Sequence, residues 1–292
     1  MANGKIIVHF SGGLGNQLFA LATALWLAKE SGRELKIDTS EYVLVRDRKY
    51  CLDVFSGPAQ MPRCGLATTV VSLLKCATEH FGIPGVAALM RRAGVVPVHF
   101  DVCKGQLPDE EVLRLAKDVR VRTVYMTGCN ERMSLLPPRS DLRGQFALTS
   151  PVAFADPGAD SVSIHVRRGD YLMMSGGSLA LGEDYYRQAV EKMRSLVGRP
   201  KWYVFSDDID WCRARFSDLG DVVFVEGDPT RPWEDLMHMS MCRHHIVANS
   251  TFSWWGAYLS DEGGFTICPR HWLEGVETTP GEMVPENWIL CG

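Results

Sequence analysis

Five short apolar runs alternate with four segments of helical periodicity in the second half of the chain. The predicted strands are Val162–Val166, Trp202–Phe205, Val222–Val225, His245–Ala248 and Phe265–Cys268. The predicted helices between and after them are Asp184–Val197, Ile209–Phe216, Trp233–Met241 and Ser253–Leu259. Repeated βα units predict a doubly wound parallel sheet, whose ligand site lies at the carboxyl ends of the strands.

A unit of the same type opens the chain. Ile6–Phe10 predicts a strand, Asn16–Ser31 a helix that stops at Gly32, and Glu34–Asp38 a second strand. The sequence therefore predicts an α/β fold for this half as well, with a parallel sheet covered by helices.

The middle of the chain indicates its organisation less clearly. Leu66–Ala77 and Gly85–Ala93 predict helices, and Val121–Met126 predicts a strand. The proline-rich stretch 137–158 predicts a connecting region. Because domains typically hold about 100–200 residues, we expect two of them, 1–150 and 151–292.

Charge and cysteine content limit the class of protein. Lys plus Arg is 31 and Asp plus Glu is 35, a net charge of −4 that argues against nucleic-acid binding. Nine cysteines without CxxC spacing favour isolated thiols in a reducing compartment. The apolar stretch Leu18–Ala28 is too short to cross a bilayer, so we expect a cytoplasmic protein.

The first polar motif is Gly12–Gln17, between a strand and a helix. Glycines such as Gly13 and Gly15 let a ligand approach backbone N–H groups, and the amides of Asn16 and Gln17 can bind ligand hydroxyls as well as cap the helix. The alternatives are a tight structural turn or, with Asp38, a dinucleotide fingerprint. Leu18 stands where that fingerprint requires its third glycine.

The second motif runs from His165 to Tyr171, at the end of a predicted strand. Arg167 and Arg168 suit a phosphate ligand, because guanidinium groups make bidentate charge-assisted hydrogen bonds. The alternative is a surface ion pair between Arg168 and Asp170, which explains the crowded motif less well.

The third motif, Asp207–Asp210, follows the next strand. Asp207 or Asp208 could accept hydrogen bonds from a ribose or a base, or could cap the following helix. Asp208 and Asp210 also form a D-x-D pattern, with which some glycosyltransferases hold a metal ion.

The fourth motif opens a helix with amide and hydroxyl side chains: Asn249, Ser250, Thr251, Phe252 and Ser253. Hydroxyl and backbone N–H groups at a helix start form an anion site, aided by the helix dipole. The adjacent Trp254 and Trp255 are expected mainly in the core.

Three of these segments resemble motifs of the α-1,2-fucosyltransferases. Gly12–Gln17 resembles the family's N-terminal block, and His165–Tyr171 its HxRRxD-type motif. Asp235–Leu259 resembles the third and most specific block. The resemblance implies a GT-B-type architecture of two Rossmann-like domains facing across a cleft, with an N-terminal acceptor side and a C-terminal domain that binds GDP-L-fucose.

The same resemblance implies inverting transfer of fucose to the 2-hydroxyl of a terminal galactose, without a metal or other cofactor. It implies that His165 and Asp208 lie near the nucleoside, and that Arg167 and Ser250–Ser253 line the donor pocket. Asn16 and Gln17 would approach the fucose or the diphosphate. The expected acceptor is a galactose-terminated oligosaccharide or a lipid-linked glycan, with at most peripheral membrane association.

The predicted site therefore has two groups of residues. Arg167, Asp170 and Asn16 are the catalytic candidates, with Asp170 either a general base or a residue that orients the arginines. The donor-binding candidates are Gly13, Gly15, Gln17, His165, Arg168, Asp207, Asp208, Asn249, Ser250, Thr251, Phe252 and Ser253. The competing hypotheses are a fucosyltransferase of another linkage, an NAD-dependent oxidoreductase and a non-catalytic sugar-nucleotide-binding module.

Overall fold

The computed structural model describes residues 4–44, 48–65, 90, 92–100, 107–129, 131–150, 155–261 and 263–292. The predicted helix at 66–77, and most of the one at 85–93, lie outside these residues. The chain divides into two compact units, Met1–Ser150 and Pro151–Gly292. Each is an α/β unit built on a parallel sheet, so the prediction of an α/β fold with two Rossmann-like domains is confirmed.

The first unit has a four-stranded parallel sheet in the order β2-β1-β4-β3. Its strands are β1 (Lys5–His9), β2 (Glu34–Asp38), β3 (Val95–Phe100) and β4 (Thr123–Gly128). Its helices are α1 (Leu14–Ser31), α2 (Glu41–Leu44), α3 (Asp109–Lys117) and α4 (Arg139–Gln145). Short 3-10 turns lie at Leu52–Val54, Pro58–Gln60 and Met133–Leu135.

The first unit differs from the sequence-based expectation at two places. α1 begins at Leu14 rather than Asn16 and ends where Gly32 takes a left-handed conformation, with its N–H donating to the Ala28 carbonyl. The stretch expected as a connection contains α4, which begins directly after Pro138. Proline is compatible with a helix start because the first N–H groups of a helix have no intrahelical partner.

The second unit has a six-stranded parallel sheet in the order β12-β9-β8-β5-β6-β7. Its strands are β5 (Ser161–Val166), β6 (Lys201–Ser206), β7 (Val222–Val225), β8 (His244–Ile246), β9 (Thr266–Pro269) and β12 (Ile289–Cys291), and an antiparallel pair joins β10 (His271–Leu273) to β11 (Val276–Glu277). Its helices are α5 (Glu183–Val197), α6 (Ile209–Phe216), α7 (Pro232–Met241) and α8 (Thr251–Tyr258), with 3-10 turns at Asp170–Leu172 and Met174–Gly177.

Alternation along β6 shows how this sheet is covered on both faces. Trp202 and Val204 belong to a core that includes residues of α5 and α6. Tyr203 and Phe205 point to the opposite face and pack with Met239 of α7. Successive residues of a strand face opposite sides, so a strand buried on both faces is apolar throughout.

The central strand β5 supplies both core and site. Val162, Ile164 and Val166 enter the same core as Trp202. Ser163 and His165 face the other side of the sheet, where the Ser163 hydroxyl lies 2.8 Å from His245 Nδ1. The alternation therefore brings His165 onto the face opposite α5 and α6, at the carboxyl end of the strand.

Candidate functional site

Three of the predicted motifs meet at one edge of the second sheet. β5 lies between β6 and β8, and the chain leaves the three strands at the same edge because they are parallel. The order of strands changes direction between β5 and β8, which is the topological switch point where doubly wound sheets bind ligands. The second, third and fourth motifs begin at or just after the ends of β5, β6 and β8.

Direct contacts join the three motifs. Arg168 Nε lies 3.0 Å from Asp208 Oδ2, which links the β5 motif to the β6 motif. The Tyr171 hydroxyl donates to the Asn249 carbonyl at 3.1 Å. The rings of His165 and Phe252 lie 5.5 Å apart between centroids. The structure thus brings the C-terminal candidates into one cluster.

Arg167 lies between two carboxylates. Its Nη2 is 2.7 Å from Asp170 Oδ1, and its Nη1 is 2.8 Å from Asp207 Oδ2. The guanidinium also lies over the Tyr171 ring, 5.6 Å from the centroid. The side chain is 23% exposed, so the charge is held at the surface of the site and can reach a ligand.

Asp208 serves both Arg168 and a helix. Its Oδ1 accepts from the backbone N–H of Trp211 at 3.2 Å, so Asp208 caps α6. The capping interpretation of this motif is confirmed. Arg168 lies 4.4 Å over the Trp211 ring, which fixes its guanidinium plane by a cation–π contact.

Asp207 is bound to three consecutive residues of the β5 motif. Besides its ion pair with Arg167, its Oδ1 accepts from the backbone N–H groups of Arg168 and Gly169, at 2.8 and 3.1 Å. A Cβ on Gly169 would lie only 2.9 Å from Asp207 Oδ2. Asp207 therefore ties the end of β5 to the end of β6.

His165 is buried and neutral. His165 is 5% exposed. The pKa of its imidazole is lowered to about 3, mainly by burial and secondly by the positive charge of Arg167, while the negative charge of Asp207 acts in the opposite direction. Nδ1 is buried and makes no hydrogen bond within the described part of the chain. A neutral imidazole with an unused ring nitrogen can donate to or accept from a polar ligand.

Several polar groups of the fourth motif form hydrogen bonds within the start of α8 or with nearby backbone. The Ser250 side chain caps α8 by accepting from the Phe252 N–H at 3.3 Å, and the Ser253 hydroxyl donates to the Ser250 carbonyl at 3.3 Å. Asn249 Nδ2 donates to the Leu179 carbonyl at 2.9 Å. Thr251 and Phe252 are half-buried at the helix start and remain the accessible members of the motif.

The tryptophans that follow are core residues, as expected. Trp254 is 1% exposed and Trp255 is fully buried. Trp254 stacks on Tyr258 with ring centroids 4.4 Å apart, and its indole N–H donates to the Met283 carbonyl at 2.9 Å.

In the first unit, the structure corrects the role predicted for Gln17. This side chain is fully buried. Its Nε2 donates to the carbonyls of Gly12 and Lys49 at 3.1 and 2.8 Å, and its Oε1 accepts from the Cys51 N–H at 2.9 Å. Gln17 therefore holds two loops together and presents no amide group to a ligand.

The glycine that the turn requires is Gly12, which the sequence analysis did not single out. Its φ of +71° lies in the left-handed region, and a Cβ there would lie 2.9 Å from Asn16 Nδ2. Gly13 is the N-cap residue of α1. Gly15 is buried in the first turn of that helix, and Asn16 is half-buried. Of this motif, Gly13, Gly15 and Asn16 remain candidates for ligand contact.

A buried polar cluster lies at the ends of β1 and β2. His9 Nε2 is 2.9 Å from Glu41 Oε2, and His9 Nδ1 is 3.5 Å from Asp38 Oδ2. Burial lowers the pKa of His9, but hydrogen bonds and charges from Asp38 and Glu41 outweigh burial, so the net shift is upward. Asp38 also accepts from the Tyr125 hydroxyl at 2.7 Å. This engagement of a buried Asp38 argues against the dinucleotide alternative.

Asp235 is a further carboxylate that the sequence analysis did not select as a site residue. It lies in the first turn of α7, and burial, followed by the charges of Glu234 and Asp228, raises its pKa to about 6. A Cβ on Gly227 would overlap the Asp235 carboxylate. Its position in the sequence could have indicated a role in the site, because α7 follows β7, and β7 is parallel to β5, β6 and β8 and ends at the same edge of the sheet.

Three further observations concern metal ions, cysteines and membrane-spanning helices. Within the described ranges, no group of three or more His, Cys, Asp or Glu side chains could hold a metal ion. Seven cysteines lie in those ranges, all as free thiols. None of the described helices has the length and apolar character needed to span a bilayer.

Comparison with known proteins identifies the family. The model of glycosyl transferase family 11 matches residues 152–290. An α-1,2-colitosyltransferase of Escherichia coli is 30% identical over 302 residues, which cover 97% of this chain and 98% of the relative. A galactoside α-(1,2)-fucosyltransferase 1 of Aotus azarae is 38% identical over 112 residues, covering 36% of this chain and 30% of that protein.

Solved structures support the fold. A GDP complex of a mutant FUT1 from Arabidopsis thaliana matches with a TM-score of 0.58 at 14% identity, over 98% of this chain and 76% of that one. The fucosyltransferase NodZ of Bradyrhizobium matches with a TM-score of 0.51 at 15% identity, over 88% and 92%. The GT-B class predicted for the fold is confirmed.

The colitosyltransferase aligns along nearly the whole chain, and the family model agrees with the part of the chain that holds His165–Tyr171 and Asp235–Leu259. This agreement confirms the resemblance and the prediction of a glycosyltransferase. The chain belongs to glycosyl transferase family 11.

Proposed function

We propose that the protein transfers L-fucose from GDP-L-fucose to the 2-hydroxyl of a terminal galactose, with inversion to an α-1,2 linkage. Sequence relatives named as α-1,2-transferases support the linkage, and one named as acting on galactosides supports the acceptor class. The observation that carries the proposal is the arginine-centred cluster at the switch point of the second sheet.

The diphosphate of the donor is assigned to Arg167 and the start of α8. A guanidinium makes strong charge-assisted bonds to phosphate, and a helix N-terminus adds N–H donors and a favourable dipole. Arg167 belongs to the β5 motif and the Thr251 end of α8 follows β8, the neighbouring strand. Arg168, stacked on Trp211, adds positive charge beside them.

The nucleoside is assigned to the polar groups around this cluster. The neutral imidazole of His165 and the carboxylate of Asp208 are proposed to contact the ribose or the base. Asp235 offers two carboxylate oxygens, which match the paired N–H groups on one edge of guanine. Ser250 and Ser253 are proposed mainly to shape the pocket, because their hydroxyl groups already make hydrogen bonds. Asn249 donates through Nδ2 to the Leu179 carbonyl, and its buried Oδ1, which makes no hydrogen bond within the described part of the chain, is kept as a candidate for ligand contact.

The proposed reaction is a direct displacement at the anomeric carbon. The acceptor oxygen forms the new bond and loses its proton, while the bond from the anomeric carbon to the GDP oxygen breaks with both electrons leaving on GDP. Positive charge from Arg167 stabilises that leaving group. The fucosyl group becomes oxocarbenium-like, as sugars do in glycoside hydrolysis.

Two further assignments complete the proposal. Asp170 either takes the acceptor proton or orients Arg167, to which it is ion-paired. Asn16, with the N–H groups around Gly13 and Gly15, is proposed to contact the fucose or the diphosphate.

The acceptor is proposed to be a galactose-terminated oligosaccharide or a lipid-linked glycan. Free thiols among the described cysteines support a reducing, cytoplasmic location, with membrane association at most peripheral.

A donor comparison tests the proposed function. Purified protein is incubated with a lactose-type acceptor and either GDP-L-fucose or GDP-colitose, which lacks the 3-hydroxyl of fucose, and products are followed by mass spectrometry. We expect transfer from GDP-L-fucose, undiminished by EDTA because the arginines supply the charge that a metal would provide. Colitose is the second candidate, because the relative aligned along nearly its whole length is a colitosyltransferase.

The outcomes separate the two donors and the metal question. Transfer from GDP-colitose but not from GDP-L-fucose would show that the donor sugar is colitose, the 3-deoxy counterpart of fucose. Loss of activity in EDTA that manganese or magnesium restores would contradict metal-independent transfer. Failure with both GDP-sugars, in protein that folds, would contradict the donor assignment.

A further inference from the structure

The two carboxylates bound to Arg167 are held in different ways. Asp207 is fixed at both oxygens, because Oδ1 accepts from the Arg168 and Gly169 N–H groups and Oδ2 pairs with Arg167 Nη1. Its side chain is 26% exposed. Moving Asp207 would break the connection between the ends of two neighbouring strands, so this carboxylate is part of the framework.

Asp170 reaches Arg167 from a short segment at the surface of the unit. It opens the one-turn 3-10 helix Asp170–Leu172, and its side chain is 36% exposed. Leu172 and Met173 of this segment are exposed, and Tyr171 ties the segment to the Asn249 carbonyl. A local rearrangement of this turn can move the Asp170 carboxylate while the strands stay in place.

A diphosphate bound at the Nη2 side of Arg167 would compete with Asp170 for the same nitrogen. A guanidinium presents its N–H groups in a planar fork that binds either a carboxylate or a phosphate. Asp207 already occupies the Nη1 side of Arg167, and Asp170 Oδ1 lies 2.7 Å from Nη2. A phosphate that approaches Arg167 at Nη1 or Nη2 competes with one of these two carboxylates for that nitrogen.

We propose that Asp170 is a displaceable occupant of the phosphate-binding edge of Arg167, whereas Asp207 stays in place and positions the guanidinium. The inference rests on the proposed function, since it assumes that GDP binds at Arg167. Asp170 keeps the arginine in position before the donor arrives and is released when the diphosphate binds. Asp207 acts through Arg167 and is therefore a positioning residue.

The two carboxylates should then affect GDP affinity in opposite directions. Asp170→Asn removes a competitor, so we expect GDP to bind more tightly, by a factor of about two to five. Asp207→Asn keeps an oxygen for the two backbone N–H groups but places an NH2 group against Arg167. We expect this variant to bind GDP about tenfold more weakly, because the guanidinium loses its orientation.

Isothermal titration calorimetry of the protein with GDP and with guanosine tests the inference. Guanosine lacks the phosphates, so its affinity should be the same in wild type, Asp170→Asn and Asp207→Asn. A merely structural defect would instead weaken both ligands together. Asp210→Asn is the matched control, because it removes an exposed carboxylate from the first turn of α6 without touching Arg167. We expect GDP affinity unchanged in that variant.

The result that overturns the inference is equally specific. Unchanged or weaker GDP binding by Asp170→Asn contradicts displacement, and so does an equal gain in Asp210→Asn, which would indicate a general charge effect. Normal GDP affinity in Asp207→Asn contradicts the positioning role of Asp207.

If Asp207→Asn fails to fold, the direction of the change in GDP affinity in Asp170→Asn decides alone. Wild-type protein that binds no GDP overturns the proposed function together with this inference, whereas wild-type binding with the wrong signs overturns the inference only.

Discussion

Replacing Arg167 by alanine is expected to remove nearly all transfer activity and to weaken GDP binding. Loss of a charge-assisted bond to a phosphate weakens binding by about 1.5–3 kcal/mol. Loss of a donor that stabilises developing charge on the leaving group lowers turnover by about 10²–10³-fold. The variant also leaves Asp170 and Asp207 without the guanidinium that joins them, and their negative charges then repel the diphosphate. Turnover and GDP affinity are measured on the same folded sample.

Arg187→Ala is the matched control for this prediction. Arg187 belongs to the same unit and is ion-paired with Asp184 at 2.9 Å, but it lies on the exposed surface of α5. We expect normal turnover and GDP affinity in this variant. Near-normal turnover in folded Arg167→Ala would remove Arg167 from the catalytic assignment.

Replacing Arg33 by alanine is expected to destabilise the first unit strongly. Arg33 is 5% exposed, and its guanidinium donates to three carbonyls, those of Ala116, Asp118 and Val121. The first of these belongs to the last turn of α3, where a positive charge is also favoured by the helix dipole. Since a buried polar group left without its partner costs about 1–3 kcal/mol, we expect a loss of about 3 kcal/mol or more in the free energy of unfolding.

Urea unfolding followed by circular dichroism measures this effect. Arg33→Lys keeps the charge but replaces a fork of donors by a single ammonium, so its loss should be intermediate. Arg120→Ala removes an arginine that is 85% exposed in the same unit, and its midpoint should match the wild type. A wild-type midpoint in Arg33→Ala would show that water replaces the guanidinium without loss.

The fold was predictable where a segment has a clear hydrophobic periodicity and clear breaks on both sides. α6 and β7 have the predicted bounds, because each is a short periodic segment between clear breaks. β3 was not predicted, and it contains Pro97, a residue type that is rare inside strands. Among the described strands, β3 lies at the edge of its sheet and pairs with β4, and an edge strand tolerates a residue without an N–H.

Strand pairing at long range was the second limit. β12 is a three-residue strand near the end of the sequence, and it is formed by pairing with β9. So short a segment carries no periodicity of its own, and only the tertiary structure creates the strand.

The site was predictable as a location but not as a set of roles. Parallel strands deliver their following loops to one edge, so the motifs after β5, β6 and β8 were expected together. Asp207 and Asp208 are neighbours in sequence, yet one binds the β5 loop and Arg167 while the other caps α6 and pairs with Arg168. Side-chain direction separates them, and the sequence does not contain that information directly.

Gln17 shows the same limit for the first unit. Its amide was expected to face a ligand because it lies in a glycine-rich turn. Its actual partners include Lys49 and Cys51, which are brought beside it by a loop that no local pattern connects to α1. A buried amide with backbone partners on both of its ends stabilises the structure around it.

The glycosidic linkage formed in the product shows whether the protein is an inverting α-1,2-fucosyltransferase. The product of GDP-L-fucose and a galactose-terminated acceptor is purified and its glycosidic bond assigned by two-dimensional NMR. We expect an α-L-fucosyl residue on O2 of galactose, because direct displacement at the anomeric carbon inverts the β-linkage of the donor. A β-linked fucosyl residue, or attachment at another position of the acceptor, would contradict it.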